Sequence, residues 1–281
     1  MECLVEDEGV GGGAYLAVAG VVLGVVDAVD AQVGSVLVIS VDGNDIVVEE
    51  DASIDPATAV RRGKDVDWIV VTMHQFTKSS SASSHGGDIG IREQLLPLFD
   101  RYSVHLVLAG HDHDDERTHP VRGTDPGTLL RPAVVDDDLR EIDASKGTVH
   151  MILGGGGTAS NDDIYLGSSD SSGIPDAFVR TQRLTFEANP DATEKATWSA
   201  VRDPNTAYPY GIAVFDVDPG TRPGDRTGIT VSCFHIPTAT AAVPFPAPAL
   251  FDRFTLYRSR SRSDGHGSAH HGLLVGADAK A

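Results

Sequence analysis

With 281 residues and 41% hydrophobic content, the chain is long enough to bury a sizeable core, which excludes a disordered polymer. Acidic residues outnumber basic ones 41 to 22, a formal charge of -19, so the average surface repels a phosphate backbone and nucleic acid is not an expected partner. Cys3 and Cys233 are the only cysteines, too few for a disulfide framework or a thiolate metal site.

The opening "MECLVEDE" is acidic where a signal peptide is basic, so no export signal is read and the compartment stays open. "AYLAVAGVVLGVV" is well short of the roughly 20 residues of a membrane span and is bounded by Asp27 and Asp30, which reads as a buried helix or strand and implies no membrane. Residues 1–33 have no clear period and are left unassigned. "SVLVISV" is a β-branched run that stops at the turn signal Asp42-Gly43-Asn44, the pattern of a buried strand. "DWIVVTM" (67–73) and "SVHLVLAG" (103–110) are two more. Between these two lie a Ser/Gly-rich loop and "IREQLLPLFDRY", whose Ile91, Leu95, Leu98 and Tyr102 form one helical stripe; Pro97 is expected to kink or split it. Strand, helix and strand make a βαβ unit with parallel strands, and ligands of such sheets collect at the carboxyl ends. His74 follows one strand end and His111 the other, so both are expected in one crevice.

A long acidic and Pro-rich insertion follows Pro120, and then "GTVHMILGGGGT", a strand ending in four glycines. With no Lys-Ser/Thr after it, that turn is not a phosphate loop; it is read as a glycine turn beneath the site. Residues 158–207 read as irregular. "GIAVFDVD", "GITVSCFHI" and "DRFTLYR" are strand-like runs joined by turn residues, an antiparallel meander. From Ser259 the chain alternates Arg with Ser and becomes His/Gly-rich, the composition of a disordered tail; "HGSAHH" within it is given no role. The division is therefore an unassigned segment 1–33, one domain over 34–257 and a tail over 258–281.

His111 and His113 share one side of an extended segment because side chains repeat every second residue, so both imidazoles can reach one metal centre. Imidazole suits Zn and Fe, and carboxylates extend the range toward Mn. The bland alternative is a polar loop whose histidines meet only water; His74 at the neighbouring strand end argues against it. His85, in "SASSHGGDIG", lies on the loop above the crevice, where it could contact a substrate oxygen or supply a proton, or be incidental to a Ser/Gly loop. Asp112 points away from the two histidines, toward a supporting or solvated position, and Arg117 could support the loop or touch an anion, with surface pairing as the blander role.

"DWIVVTMHQ" followed by "HGGDIGIREQLLPLFDRYSVHLVLAGHDHDDERTHPVRG" resembles the C-terminal half of the calcineurin-like metallophosphoesterases, nearest the purple acid phosphatase-like members. The resemblance is close over residues 66–123 and looser over 34–48 and 147–257. It implies an α/β fold, a two-sheet sandwich flanked by helices. It also implies two metal ions (Fe, Zn or Mn), roughly 3.5 to 4 Å apart, that clamp a phosphate while hydroxide attacks in line. On that pattern His74 and His111 bind one ion, His113 the other, and His85 faces the phosphate or leaving group as the catalytic histidine. The family's N-terminal Asp-x-His, Gly-Asp-x-x-Asp or -Tyr and Gly-Asn-His motifs are not in this chain. Asn44 in "VDGNDIV" reads as a turn residue, and Asp27 and Asp30 lack the surrounding pattern.

The domain is therefore expected to be incomplete at its N-terminus. Three histidines without a bridging carboxylate are expected to hold metal weakly or singly, because adjacent cations need anionic ligands between them. A sheet that has lost central strands is expected to expose an edge and self-associate, unless residues 14–26 patch it. The expected function is hydrolysis of a small-molecule phosphoester, monoester or diester; the alternative is a non-catalytic remnant or binding module of the same fold. A metallo-β-lactamase-like site is a weaker match, since "HDHDDE" approximates His-x-His-x-Asp-His but places Glu116 where that pattern needs histidine.

Overall fold

A computed structural model describes residues 14–18, 30–33, 35–41, 66–80, 86–123, 131–156, 171–182, 192–204, 210–220, 222, 224–237, 239–244 and 246–260. In chain order its elements are β1 (Ala14–Val18), β2 (Asp30–Val33), β3 (Val36–Val41), β4 (Trp68–Met73), β5 (Gly87–Asp88), α1 (Ile89–Arg101), β6 (Leu106–Ala109), β7 (Asp115–Thr118), β8 (Val121–Arg122) and β9 (Ala133–Val134). They continue with β10 (Glu141–Asp143), β11 (Val149–Leu153), β12 (Phe178–Gln182), β13 (Ala192–Lys195), β14 (Ser199–Arg202), β15 (Gly211–Asp218), β16 (Arg226–His235) and β17 (Ala249–Ser259).

Two sheets carry the architecture, one of seven strands in the order β14-β7-β11-β6-β4-β3-β2 and one of five in the order β1-β15-β16-β17-β10. At the centre of the larger sheet β3, β4, β6 and β11 are mutually parallel, as the βαβ reading requires. Every residue of β4 is buried because both its faces are covered, which is why the sequence runs apolar without alternation. Trp68 and Val70 face the second sheet, in a layer with Leu106, Val149, Phe215, Val231 and Phe254. Ile69, Val71 and Met73 face α1, packing with Ile91, Leu95, Leu96 and Phe99. Trp68 and Leu106 are fully buried, a contribution of about 1.5–3 kcal/mol for a large apolar side chain. β15 shows the contrasting pattern: Ala213, Phe215 and Val217 point inward while Ile212, Asp216 and Asp218 are exposed, the period of a strand with one wet face.

α1 begins where the Asp88 carboxylate accepts the Ile91 amide at 2.8 Å, an N-cap that satisfies one of the helix's orphan donors. It runs through Pro97 without interruption, against expectation. The carbonyl that loses its bond lies one turn earlier, at the exposed Glu93, where water can replace it.

Several expectations need correction. The expected helix-flanked sandwich is, among the described residues, mostly β with α1 as its single helix. The reason is topological: β7 returns antiparallel to β11, and β14 to β7, and antiparallel neighbours need no helical crossover. Residues 158–207, read as irregular, contain β12, β13 and β14. Their strands are only four or five residues long and sit among turn residues, so no period develops. The unassigned segment contributes β1 to the edge beside β15 and β2 to the edge beside β3. The meander is as expected, β15, β16 and β17 pairing antiparallel in sequence. The Asp42-Gly43-Asn44 turn, Asp27 and the tail beyond residue 260 lie outside the described residues. Among the described residues no helix is long and apolar enough to cross a membrane.

Candidate functional site

The carboxyl ends of β4 and β6 are tied together by the Gly110 amide, which donates to the His74 carbonyl at 3.0 Å. The chain then turns at His111, whose φ of 72° is a left-handed conformation that costs a residue with a Cβ free energy and occurs preferentially at functional sites. The turn brings the two imidazoles together: His111 Nδ1 lies 3.0 Å from His74 Nε2, with ring centroids 4.9 Å apart. Phe76 closes one side, its ring 5.7 Å from that of His111. Facing nitrogens at this distance share a proton, or, with both rings neutral, direct two lone pairs at a cation.

The segment after His74 clamps the histidine loop from below. Ser79 Oγ donates to Asp112, which is fully buried rather than solvated. Glu116 accepts from the Ser80 amide at 2.7 Å and from Ser80 Oγ at 2.5 Å. Burial nevertheless outweighs these bonds and pushes the Glu116 carboxyl up to about 7. Asp115 is held well above the usual carboxylate range by burial first and by the neighbouring Asp203 second. Beneath the loop, Lys78 Nζ donates to Thr77 Oγ1 at 3.0 Å, and Thr77 Oγ1 lies 3.1 Å from His150 Nδ1. Burial drives the Lys78 and His150 values down, aided by Arg92 in both cases.

The four-glycine turn is the floor of this loop. The Gly154 amide donates to the Asp114 carbonyl at 2.8 Å. A Cβ on Gly154 would fall inside the Asp112 carbonyl oxygen and 3.3 Å from His113 Cα, so only glycine permits the approach.

Of the residues singled out from sequence, the structure brings His74 and His111 into contact. His113 is partly buried two residues along the same loop, and His85 lies outside the described residues. Among the described residues no group of three or more His, Cys, Asp and Glu side chains is placed to hold a metal ion. The donors present fit one cation held by the two imidazoles. Among the described residues, the Asp112 and Glu116 carboxylates are bonded to Ser79 and Ser80. Arg117 is not a surface residue: it is buried, with Nε 2.5 Å from Asp252 and its guanidinium 4.3 Å above the Phe254 ring. Asp203 and His235 were not foreseen either; their side chains meet at 3.0 Å. "TKSS", directly after the histidine strand end, was the available signal for the Ser79 and Ser80 clamp.

No family model matches the chain. Two curated proteins from strains of Mycobacterium tuberculosis, both named as uncharacterized, are 38% identical over 206 residues, which is 71% of this chain and 36% of theirs. An acid phosphatase of Aspergillus ficuum is 30% identical over 107 residues, 38% of this chain and 16% of that protein. The chain thus spans about a third or less of the length of the curated relatives it matches. Among solved structures, purple acid phosphatase PPD1 from yellow lupin seeds superposes with a TM-score of 0.52 and 16% identity, over 83% of this chain and 33% of that one. The fold is therefore of the purple acid phosphatase type.

Proposed function

We propose that this chain is a phosphoric ester hydrolase of the purple acid phosphatase-like kind, acting at the carboxyl ends of β4 and β6. The observation that carries the reading is the contact between His74 and His111, two imidazoles delivered by separate parallel strands to the place where such sheets bind ligands. His74 and His111 hold a cation of the Fe, Zn or Mn type through neutral rings. When bound, that cation supplies a positive charge against a phosphate oxygen. His113 extends the donor set along the loop, and His85 serves the phosphate or leaving group. Phe76 limits water on one side, and the Ser79 and Ser80 clamp keeps the loop from relaxing out of its strained turn.

Metal content and hydrolysis of an aryl phosphate and an aryl phosphodiester, measured on one purified sample with added Zn, Mn or Fe, test the proposal. Turnover that His111→Ala removes together with bound metal is the expected result. Neither metal uptake nor turnover in the unaltered chain would end the reading. A second reading, a non-catalytic binding module of the same fold, is favoured by the engagement of Asp112 and Glu116 with serines. It predicts metal uptake without turnover.

A further inference from the structure

A second histidine site stands at the other end of the same strand-end rim, and no step above uses it. His235 closes β16 on the smaller sheet, while Asp203 follows β14 at the edge of the larger one. Asp203 is 1% exposed and its Oδ1 lies 3.0 Å from His235 Nδ1. The pair is anchored to the histidine loop and its glycine floor: the Asp203 amide donates to the Asp115 carbonyl at 2.8 Å, and the Gly211 amide, across from His235, donates to Gly155 at 3.2 Å. Phe251 lies along the imidazole, with centroids 6.0 Å apart and planes inclined by 27°.

This arrangement fixes the chemistry of the ring. With Nδ1–H committed to a buried carboxylate, Nε2 is the nitrogen left to meet a ligand. The side chain is 19% exposed, so that edge reaches solvent. Arg117 on β7 is paired with Asp252 on β17. β7 lies two places from β6 in the sheet, so the dyad's anchor is about 10 Å from His111 at the usual strand spacing, within the length of one organic phosphate.

From this placement we infer that His235, positioned by Asp203, is a substrate-contacting residue that receives a phosphate oxygen at the β7/β14 end of the crevice. Nε2 donates when the ring is charged and accepts from a phosphate hydroxyl when it is neutral; no covalent bond changes. The inference rests on the phosphoester reading of the crevice. A strap that merely joins the two sheets would use the same Asp203 contact but would not respond to phosphate.

The test is titration of the full chain with inorganic phosphate, followed by the imidazole proton resonances and by calorimetry. The His235 signal is assigned by its loss in His235→Gln, and Asp203→Asn serves as a second variant that keeps a hydrogen-bonding group on the ring. A saturable shift of the His235 signal is expected, with phosphate affinity lowered about tenfold in His235→Gln, the loss of one charge-assisted hydrogen bond, and by a smaller factor in Asp203→Asn. If saturating phosphate moves other imidazole signals but not that of His235, and both variants bind it as the unaltered chain does, the inference falls and the crevice reading stands. If phosphate binds nowhere, both fall.

Discussion

Gly154→Ala isolates the part of the fold that shapes the histidine loop. The added methyl meets backbone, not a side chain that can swing away: it overlaps the Asp112 carbonyl oxygen and lies 2.8 Å from the carbonyl carbon. Restoring ordinary contact requires the loop to retreat by about 2 Å. Overpacking of this kind costs about 1–3 kcal/mol. Retreat also stretches the bond from the Gly154 amide to Asp114, worth about 1 kcal/mol more. The sum, about 2–4 kcal/mol, corresponds to a fall in Tm of roughly 4–16 °C for a chain of this size. Gly228→Ala is the control, because its methyl would sit 3.4 Å from the Leu256 carbonyl, an ordinary contact between β16 and β17, and its effect is expected to stay below about 1 kcal/mol. Thermal and urea unfolding followed by circular dichroism give the stabilities, and zinc titration of the same samples reports whether His111 and His74 still meet. If Gly154→Ala melts with Gly228→Ala and binds zinc as tightly as the unaltered chain, the glycine floor does not position the loop.

Asp252→Asn removes the counter-charge from buried Arg117 and is expected to cost about 3–5 kcal/mol in urea unfolding, whereas a change of about 1 kcal/mol would mean the pair is effectively solvated. Glu116 titrates near 7 in the folded chain against an ordinary 4.5, so the folded state holds this proton more tightly. Its contribution to stability is therefore lost as pH rises through that window. Glu116→Gln should flatten the fall, and parallel profiles for the two chains would contradict the assignment. His105 has the opposite sign, since burial and then Arg258 lower it from 6.5 to about 3, so stability is expected to drop as pH falls between those values. His105→Gln should remove that part of the acid limb. Removing metal with a chelator should lower Tm if the His74 and His111 pair holds a cation, and an unchanged melting curve for metal-loaded and stripped samples would count against it.

The parts of this fold that the sequence disclosed are those where one local pattern suffices. β4 and β6 are apolar on both faces, α1 carries a stripe that ends at a cap, and β15 alternates with period two; each announces its burial without reference to anything distant. The two strand-end histidines followed from the βαβ rule alone. What stayed hidden depends on partners far along the chain. β7 reads as "DERT", a charged surface run, yet it is buried between β11 and β14 because Asp252, Ser80 and Asp203 supply its bonds. The Asp203 and His235 contact joins the ends of two strands 32 residues apart on different sheets, with no motif linking them.

The same distance effect explains why the net charge of -19 is a poor guide to the site. It describes a surface average, while the strand-end rim is governed by what is buried there. Asp112, Asp114, Asp115, Glu116 and Asp203 are all buried within one loop and its neighbour, where Arg202 is the nearby guanidinium that favours the Glu116 charge. A low-dielectric region cannot hold such an excess of carboxylates fully ionised, so it must take up protons or a cation. Protonation is what the raised values of Asp115 and Glu116 describe. A cation at His74 and His111 would compete with those protons across the loop, since its charge favours the ionised carboxylates that lie nearby. Metal binding to this chain should therefore release protons from carboxyls as well as from imidazoles, the cation's charge taking the place of those protons in the acidic loop.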